Sequence, residues 1–157
     1  MGTADEDVSD LIAAFASVQR ANAALMRQLS LLAGVHENAL RALVLIDDTA
    51  RSTPTEVAGF LELTSGAVTS MLDRLVAGGF IKRIPNPADR RGSLLTLEPA
   101  GQAVVAQIRR RYEGVMRAVD AEHRAGLYLV LNDLATGLLE QAQGVVSDAA
   151  AAGGDGT

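Results

Sequence analysis

Cysteine and tryptophan are absent from this chain, and its 157 residues include only three Phe and two Tyr. Without cysteine there is no disulfide, no thiolate metal site and no thiol-based redox sensing. The composition suits a reducing cytoplasm, which is the expected location. Histidine is nearly as scarce. His36 and His123 lack partners at metal-ligand spacing, so both read as structural or surface residues, and no metal or cofactor is expected. There is no serine–histidine–acid arrangement, P-loop or dinucleotide fingerprint, so no enzyme is expected. The apolar run at 127–131 is far too short to span a bilayer. The first ten residues carry Asp5, Glu6, Asp7 and Asp10 and no Lys or Arg, unlike a secretory leader. With aromatics at 3% and hydrophobic residues at 48%, the core must be mostly Leu, Val and Ala. These are helix-friendly side chains, and a mainly α fold with a small β-hairpin follows.

The charge is unevenly placed. The net value is −5, which at first argues against nucleic acid. Residues 51–92, however, hold Arg51, Arg74, Lys82, Arg83, Arg90 and Arg91 against Glu56, Glu62, Asp73 and Asp89, six cations to four anions. Both ends of the chain are acidic. Such a molecule would orient its middle segment toward phosphates.

Along the chain, Ser9 is expected to cap a first helix, with Asp10 at its positive end. Leu11, Phe15, Val18, Asn22, Leu25, Leu29 and Leu32 then recur in alternating steps of four and three, a heptad seam ending near Gly34. A helix with this stripe packs against another long helix, in its own chain or a partner's. The seam's polar member, Asn22, could fix a dimer register, line an effector pocket, or be a capping or water-bonded asparagine. Residues 36–48 predict a second helix. Thr53-Pro54-Thr55-Glu56 is a capping box with proline in the first turn, and it predicts a third helix burying Val57, Phe60 and Leu61. Thr64 starts a fourth helix that buries Val68, Met71, Leu72 and Leu75 and stops at Gly78-Gly79. Its other face, with Gly66, Ser70, Asp73 and Ala77 flanked by Thr69 and Arg74, carries little bulk. Strands at 81–85 and 93–97 enclose a turn-rich tip, Asn86-Pro87-Ala88-Asp89-Arg90-Arg91-Gly92. Long helices at 99–119 and 122–146 follow, the latter striped by Leu127, Leu131, Leu134, Leu138, Ala142 and Val145. The small-residue segment at 149–157 reads as disordered.

Capped helix, second helix, hairpin: this is the order of parts in a winged helix-turn-helix. One helix can enter a major groove while an arginine-tipped hairpin reaches the neighbouring minor groove. The candidate DNA-binding residues are Thr53 and Thr55 at a helix N-terminus, Ser65, Gly66, Thr69, Ser70 and Arg74 on the recognition helix, and Asp89, Arg90 and Arg91 in the wing. Arg109, Arg110 and Arg111 are spread around a helix and cannot form one patch; they read as solvated or salt-bridged.

The segment from Ile84 to Leu97, with Asp89-Arg90-Arg91-Gly92 at its centre and Pro99-Ala100-Gly101 behind it, resembles the wing of MarR-family transcriptional regulators. The segment from Thr64 to Leu75, followed by Gly79-Phe80-Ile81, resembles that family's recognition helix and exit turn. The similarity extends over about residues 10–146. Two features depart from the family pattern: Glu98 stands where a capping threonine is usual, and the recognition face has a single arginine. The resemblance implies a cytoplasmic homodimer binding pseudo-palindromic double-stranded DNA, most often as a repressor released by a small aromatic or anionic effector. In it Asp89 would steady an arginine and Arg91 would enter the minor groove. Asn22 and His36 are the candidate effector-pocket residues. The implied organisation is a disordered tail (1–8), a dimerisation helix (9–35), the winged helix-turn-helix (36–98), dimerisation helices (99–147) and a second disordered tail (148–157). The alternative reading is a winged-helix protein-interaction module without DNA binding, which the acidic net charge keeps open.

Overall fold

The structure is a computed structural model. It describes the backbone of residues 3–152; the side chains of residues 3–6, 90, 91 and 146–152, and all of residues 1–2 and 153–157, lie outside the described residues. Eight elements follow in order: α1 (Thr3–Ala33), α2 (Glu37–Thr49), α3 (Pro54–Leu61), α4 (Ser65–Ala77), β1 (Ile81–Asn86), β2 (Asp89–Leu97), α5 (Pro99–Ala118) and α6 (Ala121–Ala152). The mainly α architecture with one hairpin agrees with the composition. The chain divides into two compact units, residues 1–109 and 110–157.

In the first unit, side chains spaced for one face meet in a single core. Leu43, Ile46, Val57, Val68, Leu72, Ile81 and Leu95 are each at most 1% exposed. Each such aliphatic side chain is worth about 1.5–3 kcal/mol on burial, so this cluster holds α2, α3, α4 and the hairpin together. Phe60, expected inside with Val57 and Leu61, is instead 46% exposed. The Arg41 guanidinium lies 5.3 Å from its ring centroid, a cation–π contact that accommodates a ring at the surface.

Helix ends follow local chemistry. α2 starts at His36, whose Nδ1 accepts the Asn38 amide at 3.3 Å. α4 starts at Thr64, whose hydroxyl accepts the Ala67 amide at 3.4 Å. At the other end of α4, Gly79 takes φ +72, and the Phe80 amide returns to the Leu75 carbonyl at 3.0 Å. That left-handed step is cheap only for glycine.

Three expectations about element ends are corrected. α1 begins at Thr3, so Ser9 is an interior helical residue and not a cap. α6 continues to Ala152, because the run of Ala149 to Ala152 has the best intrinsic helix propensity. Residues 3–8 and 148–152, expected as disordered tails, are therefore helical. The strands are also longer than 81–85 and 93–97.

β1 and β2 pair antiparallel from Ile81↔Leu97 to Pro85↔Ser93. Ser52 joins β2 from its other side. It exchanges backbone hydrogen bonds with Leu95 at 3.3 and 2.7 Å, and its hydroxyl lies 2.7 Å from that of Thr49.

On α1 the seam is buried near its end, at Leu29, but Leu11, Val18 and Leu32 are exposed. In the second unit the expected α6 stripe is present. Leu131, Leu134, Leu138 and Val145 are exposed, and Tyr128, Leu129, Val130 and Leu139 extend apolar surface round the helix. No single helix among the described residues is long and apolar enough to cross a membrane.

Candidate nucleic-acid interface

Three short devices position this surface. The first is the start of α3. The Glu56 amide donates to the Thr53 hydroxyl at 3.2 Å, and the Thr53 amide donates to Glu56 Oε2 at 2.6 Å, closing the capping box. The Thr53 hydroxyl also donates to Glu56 Oε2 at 2.9 Å. Thr53 is thus occupied locally as a donor, while Thr55 is exposed in the first turn. The Thr53 backbone amide, and then its hydroxyl, hold the Glu56 carboxyl below the usual glutamate range. A carboxylate whose folded-state value is lowered contributes its full stabilisation above the unfolded value, near ~4.3, and loses it as the pH falls through the folded one. Thr53→Ala should cost about 1 kcal/mol at neutral pH, and less in thermal melts at acid pH where the box is already open.

The second device is α4. Ser65 and Gly66 lie in its first turn, with Thr69 and Ser70 one turn on, all exposed. The Thr69 hydroxyl donates to the Ser65 carbonyl at 2.8 Å, leaving an acceptor lone pair outward. Arg74 is exposed and donates from Nε to the Ser70 carbonyl at 3.1 Å. These five residues share one helix and one exposed side.

The third device is the wing. Asn86 pairs with Asp89 across Pro87 and Ala88, yet the next pair is Pro85↔Ser93. Arg90, Arg91 and Gly92 therefore lie between those pairs on β2, with no residue between them on β1. This is a three-residue bulge at the tip. The Asp89 carboxylate folds back toward it: a Cβ placed on Gly92 would lie 3.2 Å from Asp89 Oδ2. The Arg90 and Arg91 side chains are outside the described residues.

Sequence patterning did not foresee an ion pair joining α4 to the wing: Arg83 Nη2 lies 2.9 Å from Asp73 Oδ1. The partners are ten residues apart and belong to different elements, so no spacing rule signals them. Arg109, by contrast, is salt-bridged to Asp47 at 2.9 Å, in keeping with its bland reading.

A cavity of about 560 Å³ lies alongside α4, with His36, Asn38, Met71, Arg74, Leu75 and Phe80 among its lining residues. Asn22 is not among them, so the two candidate effector residues do not share this cavity. The second histidine is a surface residue, as expected. His123 gathers with Asp120 and Glu122 at the start of α6, their ligand-type atoms within 4.8 Å of one another. All three are exposed, and the positive end of a helix opposes a cation there.

Comparison with known proteins converges on this region. Residues 35–93 match the model of the MarR family. The multiple antibiotic resistance protein MarR of Salmonella typhimurium is 48% identical over 59 residues, 38% of this chain and 41% of that protein. The matched segment thus spans less than half of its curated relative. The crystal structure of apo wild-type MarR from Escherichia coli superposes with a TM-score of 0.62 at 28% identity, covering 79% of this chain and 95% of the other. A mutant of the same E. coli protein complexed with operator DNA gives a TM-score of 0.55 at 28% identity, over 80% and 95% of the two chains. The likeness in sequence lies where the capping box, the small-faced helix and the bulged wing are found, and the likeness in fold extends well beyond it: residues 35–93 match the MarR family of transcription regulators, and the chain as a whole resembles MarR in fold.

Proposed function

We propose that this chain is a homodimeric, sequence-specific DNA-binding regulator, a repressor released by a small ligand. The observation that carries this reading is the pairing of α4, whose exposed side is Ser65, Gly66, Thr69, Ser70 and Arg74, with a wing whose bulge holds Arg90 and Arg91. Small hydroxylated residues allow close approach to base edges, and Arg74 and the N-terminus of α3 at Thr53 and Thr55 suit phosphates. The E. coli relative crystallised with operator DNA supports the same use of the fold.

Dimerisation is supported by apolar side chains exposed on each of the two units. Leu11, Val18 and Leu32 on α1 and Leu131, Leu134, Leu138 and Val145 on α6 are all exposed. A helix apolar round most of its circumference belongs in a core, and a second copy supplies one. The effector reading rests on the cavity that His36 and Arg74 line. Met71, Leu75 and Phe80 give it an apolar lining to which Arg74 adds a cationic residue, a combination that suits a small aromatic anion. A ligand that binds better to a dimer unable to span its site lowers DNA affinity by population shift.

Selection of duplexes from a random pool tests the reading. The expected product is a pseudo-palindrome with half-sites roughly 10 bp apart, bound with steep salt dependence by a species that sediments as a dimer. Failure to enrich any duplex, with the dimer intact, favours the protein-interaction alternative.

A further inference from the structure

We propose that Asp73 is a positioning residue for DNA recognition: by holding Arg83 it fixes the angle between the recognition helix and the wing. This rests on the DNA-binding reading above.

The charge of Asp73 is the starting point. It lies on the sparse exposed side of α4, with Gly66, Ser70 and Ala77. A carboxylate there repels phosphate, so electrostatics alone disfavours it on a DNA-facing helix. The structure gives it another task. Its Oδ1 accepts from Arg83 Nη2 at 2.9 Å, and the Arg83 side chain is only 33% exposed. Arg83 stands on β1 opposite Leu95, which is fully buried, so its backbone is fixed to the core. The neighbouring cation, Lys82, is engaged elsewhere, 2.7 Å from Glu98.

The connection that this pair spans explains the need for it. α4 passes into β1 through Gly78 and Gly79, the latter at φ +72. Two consecutive glycines form the most permissive joint the backbone offers. The Asp73–Arg83 pair has one partner on each side of that joint and braces it. A half-exposed ion pair adds little to folding, but a joint that must hold two DNA-reading parts in register needs only a small bias toward one angle.

The two explanations of Asp73 differ in sign. Asp73→Asn removes a negative charge facing phosphate, and a purely electrostatic role then makes binding tighter. The positioning role makes it about three- to tenfold weaker. The measurement is fluorescence anisotropy on the duplex recovered from the random pool, across a salt series, with thermal melts to check folding. Loss of affinity for Asp73→Asn, an unchanged salt slope, and recovery to within about twofold by Asp73→Glu support the proposal. So does a double variant Asp73→Asn/Arg83→Gln that binds no more weakly than Arg83→Gln alone, because partners acting through one another are not additive. Equal or tighter binding by Asp73→Asn, or losses that multiply in the double variant, overturn it. Should Asp73→Asn melt early, the comparison of Asp73→Glu with the double variant decides in the same way. A wild-type protein that binds no duplex defeats the DNA-binding reading itself, a separate result.

Discussion

Arg91→Ala is expected to weaken operator binding by about 1–3 kcal/mol, roughly 5- to 150-fold, with the dimer unchanged in sedimentation. The backbone supplies the reason. Between Asn86↔Asp89 and Pro85↔Ser93 the wing places three extra residues on β2, and two of them are Arg90 and Arg91. A guanidinium suits a narrow minor groove, where A·T-rich sequence concentrates negative potential. The loss should be largest on duplexes with an A·T-rich segment beside the half-site. Arg91→Lys should recover only part of it, since ammonium is more strongly hydrated and lacks the planar fork. A titration in which Arg91→Ala matches the wild type would remove the wing from the DNA-binding site.

Gly101→Ala should destabilise the fold by about 3 kcal/mol, lowering the melting temperature by roughly 6–12 °C. A Cβ at this position would fall 2.2 Å from the Phe80 carbonyl oxygen and 3.2 Å from Leu97 Cδ2. The obstacle is backbone, and it is fixed: the same oxygen accepts the Glu98 amide at 2.9 Å. The first turn of α5 must therefore back away from the exit of α4. Gly59→Ala is the matched control. It lies inside α3 with nothing within 4 Å of a new Cβ, so it should gain about 0.5–1 kcal/mol from the reduced freedom of the unfolded chain. Thermal melts of the two variants should move in opposite directions. A Gly101→Ala protein that melts with the wild type would mean that α5 can shift without cost.

The parts legible in the sequence were those encoded by neighbours a few residues apart. Thr53, Pro54 and Glu56 announced α3, and Thr64 and Gly78-Gly79 bounded α4, because capping is a local exchange of hydrogen bonds. The family resemblance rested on equally local wing and helix motifs. Contacts made only after folding were not legible. Phe60 has the spacing of a core residue, but Arg41 on a different helix covers its face. Asp73 looked like one more polar residue on a small-residue face until β1 brought Arg83 alongside. Helix ends at Thr3 and Ala152 were missed for another reason: acidic and alanine-rich tails read as disordered by composition, although both compositions also favour a helix where one has already begun.

The single-residue bridge at Ser52 has a consequence for how these molecules can associate. It covers part of the flank of β2, leaving β1 as the outer strand of the hairpin. That outer strand carries Lys82, Arg83 and Pro85, two charges and a residue with no amide hydrogen to offer. Such a border is a poor template for recruiting a strand from another molecule. Self-association is thereby steered away from sheet extension and toward helix packing, and crowded or concentrated protein should resist fibril growth through its wing.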